Sequence, residues 1–358
     1  MSVTTDRTIP FEALRQLAER LLVAVDVPSD EAALVADTLA TADARGMNSH
    51  GVMRLPVYVE KIRGGGFVPG RKGRVLRETS STLLIDAEQG LGAVVMVRAV
   101  QQATAKARET GVGVAGVTNS NHYGEGAYYV RHSVEQGMLT LLTSNGAPNM
   151  PVWGGLTRMT GPLPLTVGAP VTGREPFLLD IAMGVLARGK ILYAAEKGHE
   201  VPLGTGVDEN GLPTSDPKKI IGGGWILPIG GYKGFGITMV LEILSGVLTG
   251  GALGAELREL YGIPDKSQGL GHFALVIDPE AFMTRKDFED RMAFYLAMIK
   301  GSERAPGVDE IIIAGEPEQR RYAERLKTGV PIDAKVLASL ETLAADLGVD
   351  ADLGGVAT

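Results

Sequence analysis

The chain has 358 residues, 44% of them apolar and 22% charged, enough for one large or two ordinary globular domains. It contains 0 cysteines, which excludes disulfides, thiolate nucleophiles and cysteine-held metal or iron–sulfur centres. A formal charge of -7, the lack of any apolar run of membrane-spanning length and the absence of a basic-then-apolar leader point to a cytoplasmic protein that binds neither nucleic acid nor membrane.

The first elements are helical. Phe11, Leu14, Ala18, Leu21, Leu22 and Val25 recur at helical spacing. Ser29 is placed to cap a second helix that carries Asp30 and Glu31 in its first turn and ends near Gly46. Pro56 starts or kinks any helix in the Val52–Ile62 stretch, and Gly64-Gly65-Gly66 breaks it. From Thr82 the rhythm changes. Strands are expected at 82–87, 112–118 and 138–144, with helices at 92–110 and 126–136 between them. That alternation implies crossover units and a parallel section of sheet. Further strands are expected at 163–167, 177–181, 273–277 and 310–314. Residues 198–224 read as loop. Helices are expected at 235–248, where Ile237, Val240, Leu241, Leu244, Val247 and Leu248 form one broad apolar face, at 279–300, and again from Glu318.

Of the 5 histidines, two stand in polar motifs. His50 lies in Asn48-Ser49-His50-Gly51, with Arg54 four residues on. On a helix, that spacing puts an imidazole beside a guanidinium. The pair suits a 2-oxo or 2-hydroxy acid: arginine grips the carboxylate, and histidine exchanges a proton with the neighbouring oxygen. A capped, solvated helix start explains the same residues. His122 follows the strand at 112–118 and precedes the helix at 126–136, at the sheet edge where ligands bind in parallel sheets. A polar turn is the alternative there. The loop after the next strand, Thr143 through Pro148 and on to Trp153-Gly154-Gly155, emerges at the same edge. Asp180 closes another strand, suited to orienting a histidine or binding a ribose hydroxyl. Gly230 through Gly236, with Lys233, presents backbone amides at a helix start. No G-x-G-x-x-G turn follows a strand, so an ordinary Rossmann site is not expected, and no close cluster of metal ligands is visible.

Several stretches carry a resemblance across nearly the whole chain. They are Asp43-Ala44-Arg45-Gly46, Ser49-His50-Gly51 with Arg54-Leu55-Pro56, Asn119 through Gly124, Pro151 through Gly155, Asp180-Ile181-Ala182, Lys233-Gly234-Phe235-Gly236 and Gly250. In this order they resemble the malate/L-lactate/ureidoglycolate dehydrogenase family. The resemblance implies an α/β fold with a mixed-sheet, non-Rossmann central cofactor domain and a helical domain built from both chain ends. The expected division is 1–75, 76–270 and 271–358, the last packing on the N-terminal helices. A homodimer is also implied. So is NAD or NADP as cofactor, with hydride moving to or from C2 of a small 2-hydroxy or 2-oxo acid of the malate, lactate, ureidoglycolate or sulfolactate type.

By position in the family, His122 matches a proton acceptor, His50 a proton donor and Arg54 the carboxylate ligand. Ser49 and Asp180 resemble a relay in the cyclic-imine branch. Gly146, Asp180, Ile181, Ala182, Lys233, Gly315 and Glu316 fall where members contact the dinucleotide. Three departures stand out: Gly161 where members carry Asn, Met183 where many carry Ser or Thr, and Gly146 where some carry a hydroxyl. Other readings are reduction of cyclic imino acids such as Δ1-piperideine-2-carboxylate or Δ1-pyrroline-2-carboxylate, a metal-dependent hydrolase on His50, His122 and Asp180, and a non-catalytic small-ligand binder.

Overall fold

The computed structural model describes residues 7–353 and 356–357. Helices α1 (Phe11–Val23) and α2 (Ser29–Arg45) pack on each other through Leu14, Leu17, Leu21, Val35, Ala36 and Leu39. Gly46 ends α2 in the left-handed conformation, φ 87°, which an L side chain rarely adopts. Two 3₁₀ turns follow, Asn48–His50 and Val52–Arg54. Helix α3 (Leu55–Gly64) then begins with Pro56 in its first turn, where the missing amide proton costs no hydrogen bond.

The centre is a sheet of seven strands. In chain order they are β1 (Arg74–Glu78), β2 (Thr82–Asp86), β3 (Val112–Ser120), β4 (Leu139–Ser144), β5 (Pro164–Ala169), β6 (Phe177–Ala182) and β7 (Leu270–Ile277). Across the sheet they run β1-β2-β3-β7-β4-β5-β6. Only β2 and β3 are a parallel neighbouring pair, joined by helix α4 (Gly92–Thr110). β3 and β4 point the same way, as their linking helix α5 (Gly126–Val134) requires, but β7 is inserted between them antiparallel to both. The sheet is therefore mixed, and no doubly wound parallel arrangement exists. The expected division after residue 270 falls at the first residue of β7. Residues 271–277 belong to the sheet centre and not to the part that packs on the N-terminal helices. One apolar core runs from α1 and α2 through α4 into the sheet and takes in Leu337, Leu340 and Ala344 from the helix Ala334–Leu347.

Three expectations are corrected. Residues 310–314 form no strand; the segment only lies against β6, where Leu178 donates its amide to the Ala314 carbonyl at 3.4 Å. Residues 198–224 are not all loop: a three-stranded sheet, with strands at 206–207, 213–214 and 225–226, forms around Ile191, Val201, Ile220 and Ile226. The helix over 235–248 is Tyr232–Glu242 continued by a π-helical turn, Ile243–Val247, and of the apolar face expected to be core only Leu241 is buried. Gly234, Thr238, Leu241, Ser245 and Gly246 face inward, while Ile237, Val240, Val247 and Leu248 are exposed. Small residues let the helix backbone approach the sheet: a Cβ on Gly271 of β7 would lie 1.8 Å from the Ser245 carbonyl oxygen.

Candidate active site

The two polar histidine motifs meet. His50 and His122 stand with ring centroids 5.7 Å apart and planes 10° from parallel. His50 comes from the first 3₁₀ turn before α3, and His122 from the loop between β3 and α5. That loop is fixed by Asn121, whose amide nitrogen donates to the Gln89 and Gly90 carbonyls while its oxygen accepts from the Ser267 hydroxyl and the Gln268 amide. Its neighbour Asn119 holds φ 54°, with Nδ2 on the Asp86 carboxylate at 3.1 Å. A simple polar turn accounts for part of this: the asparagines are structural, and the histidine that follows them is aimed at His50.

Each imidazole has its Nδ1 engaged and its Nε2 open. The Ser49 hydroxyl lies 3.0 Å from His50 Nδ1, and the Tyr58 hydroxyl 2.7 Å from His122 Nδ1. Among the described residues no hydrogen bond reaches either Nε2. Burial and the nearby Arg54 charge hold His50 down to about 4. His122 is lowered well below the usual histidine range by burial first, then by Arg54, His50 and His272. Both rings are neutral at pH 7. Burial pushes the Tyr58 phenol up out of the physiological range, so it stays protonated.

Arg54 completes the cluster. Its Nε donates to the Ser49 carbonyl at 2.7 Å and its Nη1 to the Tyr261 hydroxyl, with the guanidinium 5.6 Å from the Tyr261 ring centre. Among the described residues no partner holds Nη2, which leaves an open fork edge beside two neutral imidazoles. Ser49, His50, Arg54 and His122 are therefore gathered as the sequence suggested. Tyr58, Tyr261 and His272 are the side chains that sequence reasoning missed. Tyr58 follows Arg54 by four residues on α3, so helical spacing alone points to it. Tyr261 sits in a distant loop with no local signal. That loop is held by Lys61, whose buried ammonium donates to the Ile263 and Lys266 carbonyls at 2.6 and 2.8 Å. His272, fully buried on β7, bridges Ser120 and Ser144 on the flanking strands at 2.8 Å each and stacks edge-on to Tyr123.

Asp180 is elsewhere. Its carboxylate accepts from the Thr166 hydroxyl at 2.9 Å and the Ala127 amide at 2.8 Å, holding the start of α5 onto β5 and β6. It makes no contact with Ser49, so the two do not form a relay. Glu316 is likewise occupied: its carboxylate bonds Lys300, Arg174 and the Ile313 amide. Gly315, φ 91°, lies against β6, where a Cβ would come within 2.7 Å of the Leu178 carbonyl oxygen. Among the described residues no three His, Asp or Glu side chains group as metal ligands.

Of the other residues expected at a dinucleotide, Gly146 and Lys233 border open space. β6 is the last strand of the sheet and carries Asp180, Ile181 and Ala182 at its end. A Cβ on Gly146 would meet nothing within 4 Å. Gly230 and Gly231, each at φ 64°, open the helix that carries exposed Lys233, and Gly231 lies against the Trp153 ring. Two departures from the family pattern are neighbours: a Cβ on Gly161 would lie 3.2 Å from the Gly146 carbonyl oxygen. The third, Met183, is 1% exposed and packs with Leu163 and Leu241, so its side chain fills a small apolar cluster. Glycine-lined backbone at a sheet edge, beside a helix start bearing lysine, fits a diphosphate-bearing dinucleotide.

Comparison with known proteins agrees with this geometry. The profile of the malate/L-lactate dehydrogenase family matches residues 9–341. A malate dehydrogenase of Pyrococcus horikoshii is 37% identical over 349 residues, 96% of each chain. The solved sulfolactate dehydrogenase of Methanocaldococcus jannaschii superposes with a TM-score of 0.91 at 34% identity, over 96% of this chain and 98% of that one. The Δ1-piperideine-2-carboxylate reductase of Pseudomonas syringae is more distant, with a TM-score of 0.84 at 28% identity, over 94% of this chain and 100% of that one. The chain belongs to the malate/L-lactate dehydrogenase family and is an oxidoreductase acting on CH–OH groups.

Proposed function

We propose that this enzyme interconverts a small 2-hydroxy acid and its 2-oxo acid with NAD or NADP, using the His50–His122–Arg54 cluster as its reacting centre. The observation that carries the reading is the convergence of an open guanidinium edge and two unpartnered Nε2 atoms from distant stretches of chain. Arg54 takes the carboxylate through its free fork edge, which sets C2 and its oxygen against the imidazoles. In the oxidative direction a neutral histidine accepts the hydroxyl proton. His122 is assigned that role because Tyr58 fixes its Nδ1: once Nε2 is protonated, Nδ1–H donates to the phenol oxygen. His50, held by Ser49, binds the same oxygen from the parallel ring. Substrate binding also resets the base, since a carboxylate on Arg54 offsets the charge that lowers both histidines.

When bound, the nicotinamide cofactor supplies or takes the hydride. Gly146, Ile181, Ala182 and Lys233 hold it, with Gly315 shaping the β6 edge and Asp180 and Glu316 holding the surrounding backbone. Relatives of malate and sulfolactate type support a substrate with a second acidic group. Reduction of cyclic imino acids uses the same clamp and rests on the more distant neighbour. The enzyme works as a homodimer: the exposed row Ile237, Val240, Ile243, Val247 and Leu248 is a large apolar face on a rigid helix, suited to a second copy. A panel of 2-oxo acids and cyclic imines with NADH and NADPH tests the proposal. Turnover of none of the 2-oxo acids with either cofactor would overturn it.

A further inference from the structure

The last turn of α2 touches both histidine-bearing segments. Asp43, 2% exposed, accepts the Val52 amide at 2.7 Å, between His50 and Arg54. Gly51 permits the contact: a Cβ there would lie 2.1 Å from the Asp43 carboxyl. Gly51 has φ −88°, so closeness and not backbone conformation is what demands glycine. Two residues along, Arg45, 3% exposed, donates Nε to Glu125 Oε1 at 2.8 Å. Glu125 directly precedes α5 and ends the loop that carries His122. Residues two apart on a helix diverge, so one turn reaches two separate loops. The turn is anchored from the far side, where Arg325 donates to the Asp43 carbonyl at 2.6 Å.

We propose that Asp43 and Arg45 are positioning residues that set the His50–Arg54 segment and the His122 loop in register with each other. Neither touches substrate or cofactor. The contacts are made by backbone and buried charge on one rigid helix, so they fix the spacing of the two imidazoles before any ligand arrives. The inference rests on the dehydrogenase reading only for its kinetic arm.

The test compares Asp43→Ala, Asp43→Asn, Gly51→Ala and the paired variant Arg45→Met/Glu125→Leu with the wild type. The paired change removes both charges together and so avoids stranding one of them in the interior. The readouts are kcat and KM for the best 2-oxo acid, NADH affinity by fluorescence, melting temperature, and NMR titration of the His50 and His122 rings without ligand. Asp43→Ala, Gly51→Ala and the paired variant are expected to lose about 30- to 100-fold in kcat, the scale of a misplacement near 1 Å. NADH affinity should stay within about twofold, and at least one of the two ring signals should shift. Asp43→Asn keeps an acceptor for the Val52 amide and should recover most of the rate. Wild-type kcat with unmoved ring signals in Asp43→Ala overturns the proposal. So does a loss in which Asn rescues nothing and cofactor affinity and melting temperature fall in step. If Asp43→Ala does not fold, Gly51→Ala perturbs the same contact from the loop side and decides. If the wild type turns over no acid, the dehydrogenase reading falls, while the ligand-free ring titrations still judge the register.

Discussion

Replacing Tyr58 with phenylalanine isolates one bond at the proposed base. The phenol is 3% exposed, and its ring packs on Phe67 with centroids 5.5 Å apart, so the substitution keeps shape and burial. What it removes is the 2.7 Å bond to His122 Nδ1. In the resting enzyme that bond joins two neutral groups. In the transition state for hydroxyl deprotonation the ring gains positive charge, and the bond becomes charge-assisted. Hydrogen bonds to charged groups contribute about 1.5–3 kcal/mol. At about 1.4 kcal/mol per decade, Tyr58→Phe should lower kcat/KM roughly 10- to 150-fold. The loss should appear in kcat, with NADH affinity and the KM of the acid little changed, because neither touches the phenol. Steady-state kinetics in the oxidative direction, paired with a melting curve, reads this directly. A kcat/KM within twofold of wild type in a folded variant would show that Tyr58 does not orient the reacting imidazole, and the assignment of His122 as base would go with it.

Other consequences follow from the same geometry. His122→Ala and His50→Ala should each lose about 10²- to 10⁴-fold in turnover while staying folded; full turnover in both removes the acid–base assignment. Arg54→Lys should raise KM for the acid, since an ammonium cannot reproduce the planar fork, and unchanged kinetics would end the carboxylate role. Because the free-enzyme His50 ring sits near pKa 4 and His122 also lies below the usual range, kcat/KM for oxidation should hold from pH 8 to below 6 and fall only on further acidification. A fall centred at 6.5 in kcat/KM contradicts the electrostatics. His272 is held neutral by burial, its pKa lowered to about 3. A depressed histidine stabilises the fold fully above the unfolded value of about 6.5 and loses that contribution as pH falls toward 3. The difference in melting temperature between wild type and His272→Gln should therefore narrow between pH 7 and pH 4.5, and a constant difference refutes it. Val240→Asp with Val247→Asp should yield monomers by light scattering if that face joins two copies; an unchanged mass places the interface elsewhere.

Local patterning determined much of this protein by itself. Helices α1, α2 and α4 follow from apolar spacing, and Gly46 and Gly111 close the last two, because amphipathic periodicity and left-handed caps are properties of neighbouring residues. The polar motifs around His50 and His122 were legible for the same reason, and Arg54 and Ser49 lie one turn or less from His50. Tertiary structure decided what distance in the chain conceals. The insertion of β7 between β3 and β4 depends on long-range pairing that no window of sequence contains. Ile237, Val240, Val247 and Leu248 read as core by periodicity, and only the close approach of Ser245 in the π-helical turn to Gly271 leaves them outside. Asp180 has the right residue type at the right strand end, yet its carboxylate is committed to the first amides of α5. Tyr261 reaches Arg54 from more than two hundred positions away, a juxtaposition produced by packing, which acts between surfaces that are neighbours in space and not along the chain.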